Sequence, residues 1–556
     1  MDLPLPAVWR RPLLWAVARS EGLADLLYGP ARPLALAGLR QRQPRPPARP
    51  LLAGSGDKLK FRQGSHEVAV APPITWGAAR SPAVVTGLHA MEFLHDLAAR
   101  APASDEPTAA AVVRDWLEHH AVGRGPAWEP WVAARRLATW ALVHRELNAG
   151  LAESDQARLL GQVAVTARFL ALNLERHRSG QRLADQARAL ILAGRLLAGS
   201  EPRQWCELGT ETILRLLGDE VLKDGGHVSR RPQVHAAVLA AALDAVSALE
   251  AEQARPFVPH LQAMLRWLEC LAAGDGSLPY AASGAWLRDN PRPELAAWAS
   301  RLVGGSLGDE RPAVAVFPRS GFTALVPSAE HGDRMVIDWG AAADAPRWAR
   351  TPALAADLAV GGLGLLAYLG PLACQGRDES AEPRGHRVIG ASGWGQERGL
   401  VYFEGEAEEG QLRHRRRVVG LSERAFLILD HLRGEAAMRA LLIAHPETAL
   451  DGSGGGGGPL FLSRGAVELT LAPGPDTAVN VLHPGGPGRG PSLEVIGRPG
   501  HAMSLLLVAG RYRGASVELS QEPQALRARL AVAHRVHDLV WPLESPPRLD
   551  SAEGRR

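Results

Sequence analysis

Residues 222–239 read LKDGGHVSRRPQVHAAVL. The K-D-G-G-H portion has the composition of a turn, because Gly225 and Gly226 reach backbone conformations closed to other residues. The run that follows, QVHAAVLAAALDAVSALEAE (233–252), places apolar residues at helical spacing. So does the run before it, ELGTETILRLLGDEVL (207–222). Working outward, the same period recurs in VVTGLHAMEFLHDLAARA (84–101), AAAVVRDWLEHHA (109–121), WVAARRLATWALVHREL (131–147), ARLLGQVAVTARFLALNLERH (157–177) and FVPHLQAMLRWLECLAAG (257–274). Short connections predict antiparallel neighbours. Near 311 the period changes. AVAVFPRSGFTALVP, RMVIDWG, LVYFEGEAEEGQLRHRRRVVGL and MSLLLVAGRYRGASVEL are short, apolar or β-branched, and punctuated by Gly, Pro and Asp. Helices first and strands after predict segregated domains. These are an N-terminal arm (1–80), a helical solenoid or α/α toroid of antiparallel helices (81–305) and a domain of antiparallel strands (306–556).

The 556 residues carry 62 Lys and Arg against 59 Asp and Glu, a net charge of +3. That balance argues against a dedicated nucleic-acid binder, which needs concentrated positive charge. Only Lys58, Lys60 and Lys223 are lysines, so Arg supplies nearly all the cations. Trp (15) outnumbers Phe (9) and Tyr (5). Three separated cysteines, Cys206, Cys270 and Cys374, form neither a disulfide framework nor a zinc motif, and the first two fall in apolar helical runs. No run reaches the roughly 18 apolar residues of a membrane span. The N-terminus lacks the long apolar core of a conventional signal peptide. The expectation is a soluble protein, cytoplasmic or periplasmic. No phosphate loop, dinucleotide-binding glycine motif or metal spacing occurs, so no cofactor and no metal are expected.

Five segments together resemble the heparinase II/III-like polysaccharide lyases. They are GLHAMEFLHDL (87–97), WEPWVAARRLATW (128–140), LERHRSGQRLADQARALILAG (174–194), LKDGGHVSRRPQVHAAVL and LAAGDGSLPY (271–280). The resemblance implies a toroid followed by a β-sandwich, and β-elimination on a uronic-acid polysaccharide. In that chemistry one group neutralises the uronate, a base takes the C5 proton and an acid protonates the O4 leaving group. Carried over position by position, it implies His227 and Tyr280 as catalytic. It implies Gln181, Arg182, Arg136, Trp128, Arg230 and His235 as substrate-binding. The anionic polysaccharide is the expected partner.

The sequence also departs from the family pattern. Val234 stands where these lyases carry a Tyr, and Gln181–Arg182 where they carry Asn-His. RTPALAADLAVGG (350–362) has no His, leaving Leu354 at the expected position of one. An alternative is therefore a glycan-binding or exopolysaccharide-assembly protein that keeps the fold without the chemistry. A third is a glycosidase using carboxylates such as Glu92, Asp224 and Asp275. Two further readings stay open. Trp128, Trp131 and Trp140 fit either core packing or a sugar-stacking face. RHRRR (413–417) fits a solvated strand face or a polyanion contact.

Overall fold

The computed structural model describes residues 28, 33–39, 51–54 and most of 59–550. Within that last span 100–107, 280–292, 308–310, 341–353, 372–386, 434–438, 452–458, 486–489 and a few shorter stretches are not described. The chain divides into two compact units. The first comprises Met1–Val221, Ala236–Leu261 and Trp298–Gly304; the second comprises Leu222–His235, Gln262–Ala297 and Gly305–Arg556. The division runs through three helices, Pro232–Ala248, Val258–Leu271 and Pro293–Val303.

The first unit is helical. It contains Pro82–Ala90, Leu94–Ala99, Ala109–His119, Pro130–Leu142, His144–Gly150, Glu153–Leu172, Gln181–Leu196 and Ser200–Glu220. Local chemistry sets several ends. The Thr108 hydroxyl accepts the Ala111 N–H, and prolines open Pro82–Ala90 and Pro130–Leu142. Gln181–Leu196 is buried on nearly every side and packs directly on Ser200–Glu220. Glycines make that approach possible. A Cβ on Gly209 would lie 2.5 Å from the Ala187 carbonyl oxygen, and one on Gly194 would lie 2.4 Å from that of Pro202. The N-terminal arm contains a small antiparallel sheet, Leu52–Ala53, Lys60–Gln63 and His66–Ala69. The Asp96 carboxylate anchors it by accepting the Leu51 and Leu52 N–H groups.

The second unit is mainly a layered β-structure of antiparallel sheets. One eight-stranded sheet runs, in spatial order, Thr477–His483, Ser492–Gly497, Arg439–Ala444, Leu363–Pro371, Ala355–Val360, Arg334–Asp338, Phe322–Leu325 and Val314–Phe317. The other runs Ala449–Asp451, Leu460–Arg464, Val467–Pro473, Met503–Ala509, Ala425–Arg433, Leu412–Leu421, Leu400–Glu409 and Arg387–Glu397. Their facing side chains, among them Leu358, Phe403, Ile428 and Leu505, form one core. A four-stranded sheet, Ser516–Glu522, Ala525–Val532, Arg535–Pro542 and Arg548–Asp550, covers the far face of the second sheet through Leu427, Leu506, Leu530 and Trp541. Met503–Ala509 is therefore buried throughout, which explains its unbroken apolar run. On the far face of the first sheet, Trp267 and Leu271 pack on Phe317, Phe322 and Val336.

Strand alternation divides the basic run 413–417 between two faces. Arg413, Arg415 and Arg417 pair with Glu404 and Glu406. His414 and Arg416 point into the core, where both contact Asp430. Arg416 also donates to the carbonyls of Leu354 and Leu369 on the facing sheet. Leu354 is wholly buried with a left-handed backbone, φ +64°. Cys206 and Cys270 are buried free thiols, and burial pushes Cys270 up to about 11. Cys374 lies outside the described residues. No helix among the described residues is long and apolar enough to cross a membrane.

Candidate functional site

In the second unit, the 222–227 turn closes on itself through Gly225 N–H to Leu222 O and Leu222 N–H to Gly226 O, both 2.8 Å. Gly225 has φ +87°, and a Cβ there would lie 2.2 Å from the Ala263 carbonyl oxygen. Asp224 nails the turn down. Its carboxylate accepts the N–H groups of Gly226 (3.1 Å), Arg319 (2.8 Å) and Ser320 (2.7 Å). A carboxylate so engaged has a structural task, which removes Asp224 as a glycosidase acid.

His227 is 1% exposed. Its Nδ1 accepts the Ser229 N–H at 3.0 Å and lies 2.8 Å from the Ser229 hydroxyl. Because Nδ1 accepts a backbone proton, the imidazole proton sits on Nε2. Arg230 has φ +55° and is buried. It pairs with Asp338, donates to Ser320 O at 2.8 Å and lies 5.5 Å from the Phe322 ring centroid. His235 is fully buried and stacks on Trp267 with centroids 4.3 Å apart. Burial, helped by the nearby His227, pushes its pKa down to about 3, so it is neutral and donates Nε2–H to Met264 O. Arg230 and His235, expected to touch substrate, are therefore committed to packing inside this unit.

Tyr280 lies outside the described residues. The residue before it, Pro279, accepts a 3.4 Å hydrogen bond from Gln233 Nε2, which ties that turn to the segment carrying His227. Asp275 of the same turn binds Ser277 N–H and Arg464. Burial alone would raise its pKa, but Ser277 and Arg464 hold it below the usual carboxylate range.

In the first unit, Arg136 and Trp128 are core residues rather than groove residues. Arg136 is 0% exposed and Trp128 4%. The Arg136 guanidinium sits 4.2 Å from the Trp116 centroid and 5.4 Å from those of Trp128 and Trp140, and it donates to Ala127 O at 2.6 Å. Burial lowers its pKa to about 9, which still leaves a cation at neutral pH. The reason is helical phase. Val132, Arg136 and Trp140 recur at i, i+4 and i+8 on the buried face.

The adjacent face carries Trp131 and Arg135. Trp131 is half-buried, with the Arg135 guanidinium 4.9 Å and the Arg182 guanidinium 5.4 Å from its ring centroid. Its indole N–H donates to Asp185 at 2.9 Å. Asp185 pairs with Arg188, which also pairs with Asp244. Arg135 pairs with Glu92, which occupies the third candidate carboxylate. Gln181, half-buried, and Arg182, exposed, open the Gln181–Leu196 helix. Arg182 has no ion pair among the described residues. The helix N-terminus adds positive potential to its charge. Gln181, Arg182 and Trp131 thus gather on one surface. Separating Trp131 from Trp140 in advance required only the i, i+4 phase of the 130–142 helix. Among the described residues no cluster of three His, Cys, Asp or Glu could hold a metal ion.

No family model matches the chain. FtsZ-localized protein C of Caulobacter vibrioides (strain NA1000 / CB15N) is 28% identical over 249 residues; the match spans 42% of this chain and 42% of that relative. Among solved structures, a heparinase III superposes with TM-score 0.58 at 13% identity, covering 98% of this chain and 99% of the other. A second heparinase III gives 0.55 at 15%, covering 98% of both. The heparan sulfate lyase HepC of Pedobacter heparinus gives 0.50 at 14%, covering 87% of both. The likeness is one of fold: a helical toroid followed by an antiparallel β-sandwich.

Proposed function

We propose that this chain binds an anionic, uronic-acid-containing polysaccharide on a heparinase III-type fold. Arg182 and Gln181 meet a carboxylate, and Trp131 stacks on a sugar ring. The observation that carries this reading is the exposed Arg182 guanidinium beside the Trp131 face, with no carboxylate partner among the described residues. A guanidinium takes a carboxylate in a forked geometry, and an indole face suits the apolar side of a pyranose. Calorimetry against a panel of uronic-acid and sulfated polysaccharides tests it. Arg182→Ala and Trp131→Ala each weaken binding about tenfold, the magnitude of one lost charged hydrogen bond or one lost ring stack. Unchanged affinity in both variants overturns the assignment.

A second reading, lyase activity by β-elimination, has one observation in its favour. The Gln233–Pro279 hydrogen bond holds the residue before Tyr280 against the segment of His227. In that reading Tyr280 exchanges the C5 and O4 protons and the His227 Nε2–H holds the developing charge. The ultraviolet absorbance of unsaturated uronate products reports it. Turnover lost in both Tyr280→Phe and His227→Ala, with folding intact, supports elimination. Binding without any absorbance change leaves the binding reading alone.

A further inference from the structure

Exposed cations border the 222–227 turn. Lys223, Arg266, Arg311 and Arg319 are all exposed, and none forms an ion pair among the described residues. The fold gathers them. Arg319 N–H binds Asp224, the neighbour of Lys223. Gly225 lies against the carbonyl of Ala263, and Arg266 follows Ala263 by one turn on the same helix face. Cys270 continues that face, and Arg311 is near enough to act electrostatically on the Cys270 thiol. From Ala263 to Cys270 the helix rises about 10 Å, so the four side chains form a stripe rather than a point. Asp224 and Glu269, which lie beside these cations, are both engaged. Asp224 accepts backbone N–H groups, while Glu269 accepts the Ser306 hydroxyl and, at 2.8 Å, the Leu307 N–H. The buried Arg334, which caps the helix end through Glu269 O and Cys270 O, adds to the positive potential.

We infer that this stripe is a second contact for an anionic polysaccharide, taking carboxylate or sulfate groups along one glycan chain. The inference rests on the glycan-binding reading above but uses different residues in the other compact unit. Three of the four cations are arginines, whose planar forks match carboxylate and sulfate. Among the described residues no large apolar side chain stands exposed in the stripe to enter a lipid surface. The exposed ones, Leu36, Leu172, Trp394, Val481, Leu482 and Val536, belong to other segments.

The test uses the full chain with immobilised heparin and alginate, neutral dextran as control, and phosphatidylglycerol vesicles as a competing anionic surface. The triple variant Lys223→Glu, Arg266→Glu, Arg319→Glu binds both anionic glycans at least about tenfold more weakly, because two-point attachment is lost. Its remaining affinity depends less steeply on salt. Circular dichroism and melting temperature stay unchanged. Arg266→Gln alone moves affinity in the same direction by less, which keeps the test open if the triple variant folds poorly. Wild-type affinity in both variants, with Arg182→Ala weakened, overturns the stripe and leaves the helical site standing. Weakened stripe variants with Arg182→Ala unaffected keep the stripe and remove the helical site. Equal retention on dextran, or binding to vesicles but to no glycan, overturns the inference.

Discussion

Arg416 and Asp430 are each 0% exposed and meet through two parallel hydrogen bonds of 2.7 Å. Burial alone would raise the Asp430 pKa, but Arg416 and His414 override it and hold the carboxyl far below its ordinary range. A depressed carboxylate pKa contributes stability that is present above the unfolded value and lost as pH falls below it. Arg416→Met leaves the buried Asp430 without its forked partner and with His414 as the remaining cation-forming neighbour, and costs about 3–5 kcal/mol in urea unfolding. Adding Asp430→Leu recovers most of that loss. His235 carries the complementary sign. Its pKa falls from 6.5 to about 3 on folding, so the unfolded chain binds the extra proton first. Stability from this site is complete above about pH 6.5 and declines as pH drops toward 3. His235→Phe keeps the stack on Trp267 and flattens that decline, as read by urea midpoints at successive pH values. Residue identity in the sequence marked Arg136, Arg230 and His235 as chemically capable. It did not say that each points inward: on a helix, inward and outward positions differ by one step, and Arg230 sits before its helix in a left-handed conformation.

At the scale of elements, glycine position decides how closely helices approach. Gly209 and Gly218 share the Ser200–Glu220 helix, yet only Gly209 faces a neighbour. Gly209→Ala drives a methyl into the Ala187 carbonyl and destabilises by about 1–3 kcal/mol. Gly218→Ala meets nothing within 4 Å and gains up to about 1 kcal/mol from helix propensity. Thermal unfolding of the two variants separates packing from propensity. The K-D-G-G-H turn was legible because two adjacent glycines and an Asp leave few alternatives. Its grip on Ala263 and Ser320 was not, since those partners lie 38 and 96 positions away. The odd and even positions of 413–417 could be assigned to opposite faces by period alone. Which face was the core depended on the sheet packed against it.

For the molecule as a whole, the change of period near 311 and the compact units do not coincide. Residues 222–235 and 262–297 belong to the unit that holds the sheets. A fragment 306–556 therefore loses Trp267 and Leu271 from the face formed by Phe317, Phe322 and Val336. It also loses Asp224 and Arg230 as partners of Ser320 and Asp338. Such a fragment binds a hydrophobic dye and is cut rapidly by protease, whereas the full chain resists; equal resistance would show that the sheets need none of these segments. By itself the sequence determined the order of helices then strands, the strand-rich layers and the buried cysteines. Those follow from hydrophobic period, which is a property of neighbours along the chain. Only the tertiary structure decided which cations are free. Arg136, Arg230 and Arg416 are buried, while Arg182, Arg266 and Arg319 are exposed. All six have the same chemistry, and a guanidinium's availability is set by the groups that fold against it rather than by its own identity.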